Sequence, residues 1–98
     1  MINESIAQSA KDALASLAKG RWHNIHTEIQ DDFTFVLLTA DAPNLPEQEL
    51  TTEQRAQVAA ALNSVVPTHP NQDFGSWMVV FQKNGRIFAS IYPGPGGL

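Results

Sequence analysis

The stretch Trp77-Met78-Val79-Val80-Phe81-Gln82-Lys83-Asn84-Gly85-Arg86-Ile87-Phe88-Ala89-Ser90-Ile91-Tyr92 decides how this chain is read. Asn-Gly between two apolar runs is the strongest short-range hairpin signal, because a two-residue type I′ turn needs φ > 0 at both central positions. Strands are predicted over 77–82 and 86–92. A two-residue turn sets Phe81 opposite Phe88, Val79 opposite Ser90 and Trp77 opposite Tyr92. One face then carries Met78, Val80, Ile87, Ala89 and Ile91, which suits helix packing. The other carries Trp77, Val79, Phe81, Phe88 and Tyr92.

Working toward the N-terminus, residues 67–75 hold Pro67, Pro70, Asn71, Asp73 and Gly75 and read as a loop. Before it, Thr51-x-x-Gln54 fits a capping box. Val58, Ala59, Leu62, Val65 and Val66 follow at helical spacing, and Pro67 stops the helix. Residues 41–50, with Pro43, Asn44 and Pro46, form another loop. Upstream, the alternation in His23–Gln30 and the run Phe33–Thr39 read as a second hairpin. A three-residue loop, Gln30-Asp31-Asp32, sets Ile29 against Phe33, Thr27 against Phe35 and Ile25 against Leu37. It keeps apolar with apolar and is preferred to a two-residue Asp31-Asp32 turn. Residues 3–19 form an amphipathic helix with Ile2, Ile6, Ala10, Ala13, Leu14 and Leu17 on one stripe, Asn3 as cap and Gly20 beyond the end. Trp22, just past it, reads as a plug between helix and sheet.

The order α-β-β-α-β-β predicts an α+β fold, a two-layer α/β sandwich. Its four-stranded, antiparallel-rich sheet carries both helices on one face. A permuted ferredoxin-like arrangement satisfies this order, with strands 33–39 and 86–92 central and 23–30 and 76–82 at the edges. One globular domain over 1–98 is expected, with 93–98 as a flexible Gly/Pro tail.

Two helices cover only one face of such a sheet. The aromatic set Trp77, Val79, Phe81, Phe88 and Tyr92 is therefore expected on the uncovered face. Loops and tail could close over it, a second copy could bury it in a homodimer, or a different partner or ligand could dock there.

Charge is laid out unevenly. The 98 residues hold 6 Lys+Arg and 10 Asp+Glu, for a net charge of -4. Residues 22–54 carry Glu28, Asp31, Asp32, Asp41, Glu47, Glu49 and Glu53 with no Lys or Arg, so that segment is -7 and the rest is +3. This argues against nucleic acid as a partner, since phosphate contacts need clustered cations. It favours a basic protein partner, because one-sign fields steer association. No apolar run reaches the ~20 residues of a bilayer span, so no membrane partner is expected. The start of the chain lacks the basic and apolar blocks of a signal peptide, and there is no Cys. A cytoplasmic location fits these features.

Catalytic constellations are sparse. His26 and Glu28 share a strand face, while His23 and His26 point apart on a strand, so no metal site is expected. His69 and Asp73 could form an acid–base pair in the 67–75 loop. Asp31-Asp32 reads as a turn. Phosphate-binding glycine loops are absent, and no cofactor is expected.

The composition and layout favour a small acidic, non-catalytic binding protein that neutralises a basic partner, as toxin-immunity proteins do. The acidic contact residues would be Glu28, Asp31, Asp32, Asp41, Glu47 and Glu49. The alternatives are a ligand-binding domain or enzyme built from the aromatic face, the two loops, His26, His69 and Asp73, and a structural homo-oligomer.

Overall fold

The computed structural model describes residues 2–30, 32–43, 45, 51–67 and 76–93. Two helices, α1 (Glu4–Ser16) and α2 (Thr52–Val65), and four strands, β1 (His23–Gln30), β2 (Phe35–Asp41), β3 (Trp77–Lys83) and β4 (Arg86–Ile91), follow one another as α1-β1-β2-α2-β3-β4. Class, element order and layering match the sequence reading.

Local signals account for the helix ends. Asn3 Oδ1 accepts from the Ile6 N–H at 2.9 Å. Thr51 Oγ1 accepts from Gln54 N–H and Gln54 Oε1 accepts from Thr51 N–H, both at 3.1 Å, completing the capping box. After α1, Lys19 (φ 48°) and Gly20 (φ 81°) reverse the chain in left-handed backbone.

The strand order is β1-β2-β3-β4, a correction to the permuted ferredoxin-like arrangement. β2 and β3 are the central pair and run parallel; β1 and β4 are the edges, each antiparallel to its neighbour. The reason is the α2 connection. A strand–helix–strand crossover delivers β3 parallel to β2 and beside it. The β3–β4 hairpin then extends the sheet outward instead of folding β4 back into its centre.

Both hairpin registers differ from expectation. In the first, Gln30 pairs with Phe35 and Ile29 with Val36, so Phe33 and Thr34 lie in the turn instead of in the strand. In the second, the Asn84 (φ 51°) and Gly85 (φ 80°) turn forms as predicted and sets Gln82 against Ile87. A β-bulge then intervenes, so Phe81 pairs with Ala89 and Val79 with Ile91. The extra residue is Phe88, which turns with Ala89 toward the helices and packs on the core.

In β3 the use of the two sheet faces is the reverse of expectation, whereas Ala89 and Ile91 of β4 face the helices as expected. The helix-side rows are Ile29–Val36–Trp77, Thr27–Leu38–Val79–Ile91 and Ala40–Phe81–Ala89. Trp77, Val79 and Phe81 are fully buried there with Ala7, Ala10 and Leu14 of α1 and Val58, Ala59 and Leu62 of α2. Trp77 Nε1 donates to Asn63 Oδ1 of α2 at 2.9 Å. Trp22 plugs the helix–sheet junction as expected: its Nε1 donates to Leu14 O at 3.1 Å and its ring meets Phe81 at 5.0 Å. Alanine-rich helices approach closely, and large rings fill the space their small side chains leave. Of the set expected to face a partner, Trp77, Val79 and Phe81 belong to the core.

Candidate functional site

The face turned away from the helices is built from the alternate residues. Its rows run Gln30–Phe35, Glu28–Leu37–Met78, His26–Thr39–Val80–Ser90 and Asp41–Gln82–Ile87. The two central strands thus present Phe35, Leu37, Met78 and Val80 as an apolar band. The edges frame it with Gln30, Glu28 and His26 on one side and Ser90 on the other. Phe35, Leu37 and Met78 are half-buried, and Val80 is buried while standing outside the core cluster. Ile87, 64% exposed, extends the band toward the β3–β4 turn.

Glu28 and Asp41 are the acids of these rows, and the rows contain no Lys or Arg. Asp41 is the most firmly positioned. At the end of β2 its Oδ1 accepts from Gln82 Nε2 of β3 at 2.8 Å, and its Oδ2 accepts from Asn24 Nδ2 of β1 at 3.2 Å. Asn24 reaches it because β1 bulges between His23 and His26 and Asn24 adopts left-handed backbone (φ 52°). The Gln82 and Asn24 hydrogen bonds hold the Asp41 carboxyl below its ordinary pKa, with smaller help from His23 and His26 and a small opposing effect of burial. One ionised carboxylate therefore ties three strands together. Beside it lies a shallow cleft of about 370 Å³ bordered by His23, Pro43, Gln82, Lys83, Asn84 and Gly85. The Lys83 ammonium sits 4.8 Å from the centre of the Phe88 ring.

Of the acidic residues predicted for a partner, Glu28 and Asp41 thus lie on the face turned away from the helices. Asp32 is exposed in the β1–β2 turn. Asp31, Glu47 and Glu49 lie outside the described residues. Of the aromatic set, Trp77, Val79 and Phe81 are withdrawn into the core, while Phe88 and Tyr92 are half-buried. Of the alternative polar site, His26 is exposed on β1; His69 and Asp73 lie outside the described residues. Among the described residues no three His, Asp or Glu side chains gather closely enough to hold a metal ion. The sequence reading did not place Phe35, Leu37, Met78 and Val80 together on the face turned away from the helices. The signal was present, since both alternations in β2 and β3 are apolar, but sequence alone does not say which alternation the helices take.

Compared with protein-family models, curated proteins and solved structures, the chain matches no family model, no curated protein and no solved structure. No described helix is long and apolar enough to cross a membrane.

Proposed function

We propose that this chain is a non-catalytic protein-binding domain of the cytoplasm that docks a basic protein partner on the sheet face turned away from its helices, in the manner of a protein that neutralises a toxin. The observation that supports this reading is the apolar band Phe35–Leu37–Met78–Val80, framed by polar edges, whose rows carry Glu28 and Asp41 and, among the described residues, no Lys or Arg. An apolar centre with a polar rim is the anatomy of a protein interface. The carboxylates in its rows favour cations on a partner. Two carboxamides fix Asp41, so it meets a cation with little further loss of side-chain freedom.

The test is to capture partners from the source cell with the wild-type chain and with Leu37→Lys, which puts a cation in the middle of the band. The wild type should retain a basic protein that Leu37→Lys loses, and that complex should weaken between about 50 and 500 mM salt as screening shortens. Equal retention by both chains, or a salt-independent complex, would overturn the electrostatic docking face. Light scattering gives the second outcome its meaning. A wild-type dimer converted to monomer by Leu37→Lys would assign the band to self-association.

A further inference from the structure

Phe33 stands at the end of the sheet in the β1–β2 turn, and its backbone is left-handed (φ 66°), next to Asp32 at φ 54°. Left-handed backbone presses Cβ against the neighbouring carbonyl. Asp tolerates this and a bulky aromatic does not, so Asn or Gly would occupy position 33 with less strain. Burial of the ring gives little in return, because Phe33 is 54% exposed. The turn is nevertheless held in place: the Ile2 N–H donates to Phe33 O at 2.8 Å, fastening the loop to the start of α1. A strained residue that is locked in position and contributes little to the core is the pattern of a functional contact.

Beside the ring, a recess of about 390 Å³ is lined by Ile2, Asn3, Glu4, Ile29 and Phe33. Ile2 is buried and Ile29 half-buried, so the floor is aliphatic and the wall aromatic. Among the described residues the charge in the lining is Glu4, with no Lys or Arg, and Asp32 adjoins the ring along the chain. We propose that Phe33 and this recess form a docking point for a protein partner that seats one apolar side chain against Phe33, Ile2 and Ile29, with a flanking Lys or Arg toward Glu4 and Asp32. Ile29 belongs to the helix-side rows, so this point is separate from the face turned away from the helices and stands or falls without it.

Two probes test it: N-acetyl-leucyl-arginine amide and, as control, N-acetyl-leucyl-glutamate amide. Each is titrated to about 20 mM against the full chain by amide NMR, a range suited to so small a ligand. The arginine probe should give saturable shifts at Ile2, Glu4 and Ile29, and the glutamate probe should bind more weakly. Phe33→Gly and Phe33→Asn should each weaken the arginine probe about three- to tenfold, the range of one aromatic contact. Both variants should also unfold at an equal or higher urea midpoint than wild type. An absence of saturable shifts, unchanged probe affinity in the variants, equal binding of the two probes, or a fall in midpoint in both variants would overturn the proposal. The last result would make the ring a structural element.

Discussion

Truncating Trp77 separates the two possible roles of the aromatic set. On an uncovered face of a monomer, Trp77→Ala would remove an exposed ring and change stability by no more than about 0.5 kcal/mol. In the structure Trp77 is fully buried beneath α2, opposite Val36, and gives its indole N–H to Asn63. Removing a buried aromatic costs about 3–5 kcal/mol, from lost transfer energy and the cavity left behind. A chain of 98 residues has a total stability of about 5–15 kcal/mol. The substitution therefore consumes a large share of it. With a urea slope of about 1–3 kcal/mol/M, the unfolding midpoint should fall by about 2 M. Far-UV circular dichroism is the suitable readout, because Trp22 also contributes to fluorescence. Asn63→Ala isolates the hydrogen bond: the indole loses its acceptor at a cost of about 1–3 kcal/mol. Adding Asn63→Ala to Trp77→Phe should then cost measurably less than Asn63→Ala alone, since the donor is already gone. A Trp77→Ala midpoint within experimental error of wild type would refute the assignment of this face to the core.

Two further substitutions probe the sheet ends. Gly85→Ala should destabilise the fold by about 1–2 kcal/mol, the penalty for a Cβ in left-handed backbone. A Cβ there meets nothing within 4 Å and φ is +80°, so a neutral result in urea unfolding would refute the turn conformation. Asp41→Asn tests the three-strand tie through pH. The folded carboxyl titrates below its ordinary value, so its contribution is present above the unfolded pKa of ~3.9 and is lost as pH falls through the folded value. Wild type should therefore exceed Asp41→Asn in stability at pH 7, and the gap should close below about pH 4; a gap constant with pH would reject the argument.

The signals that proved legible in the sequence are those in which one residue answers one backbone need. Asn84-Gly85 supplies two left-handed positions, Thr51 and Gln54 exchange hydrogen bonds, and Asn3 caps α1. Strand order is different in kind. It depends on the path of α2 between β2 and β3, and α-β-β-α-β-β is compatible with either a parallel or an antiparallel centre. Register failed where no residue marks the irregularity. The β4 bulge at Phe88 carries no glycine, and Phe33 continues the apolar run although it belongs to the loop. Of the candidate contact residues, Glu28 and Asp41 could be picked out by charge. The carboxamides that position Asp41 come from Asn24 and Gln82, residues 17 and 41 positions away, so no local pattern announces them.

The face assignment went astray for a reason that bears on function. A sheet covered on one side by two helices needs one apolar alternation, and β2 and β3 each carry two. In β2 the helices take Val36, Leu38 and Ala40, leaving Phe35 and Leu37; in β3 they take Trp77, Val79 and Phe81, leaving Met78 and Val80. Neither choice could be read from hydropathy, because both sets are apolar enough to form a core. Folding alone would be served as well by Thr, Lys or Glu at 35, 37 and 78, which also guard against association. The second alternation is therefore not the one the two helices cover, and the partner proposed above would use it. That use is what Leu37→Lys removes while leaving Leu38, its buried neighbour, in place.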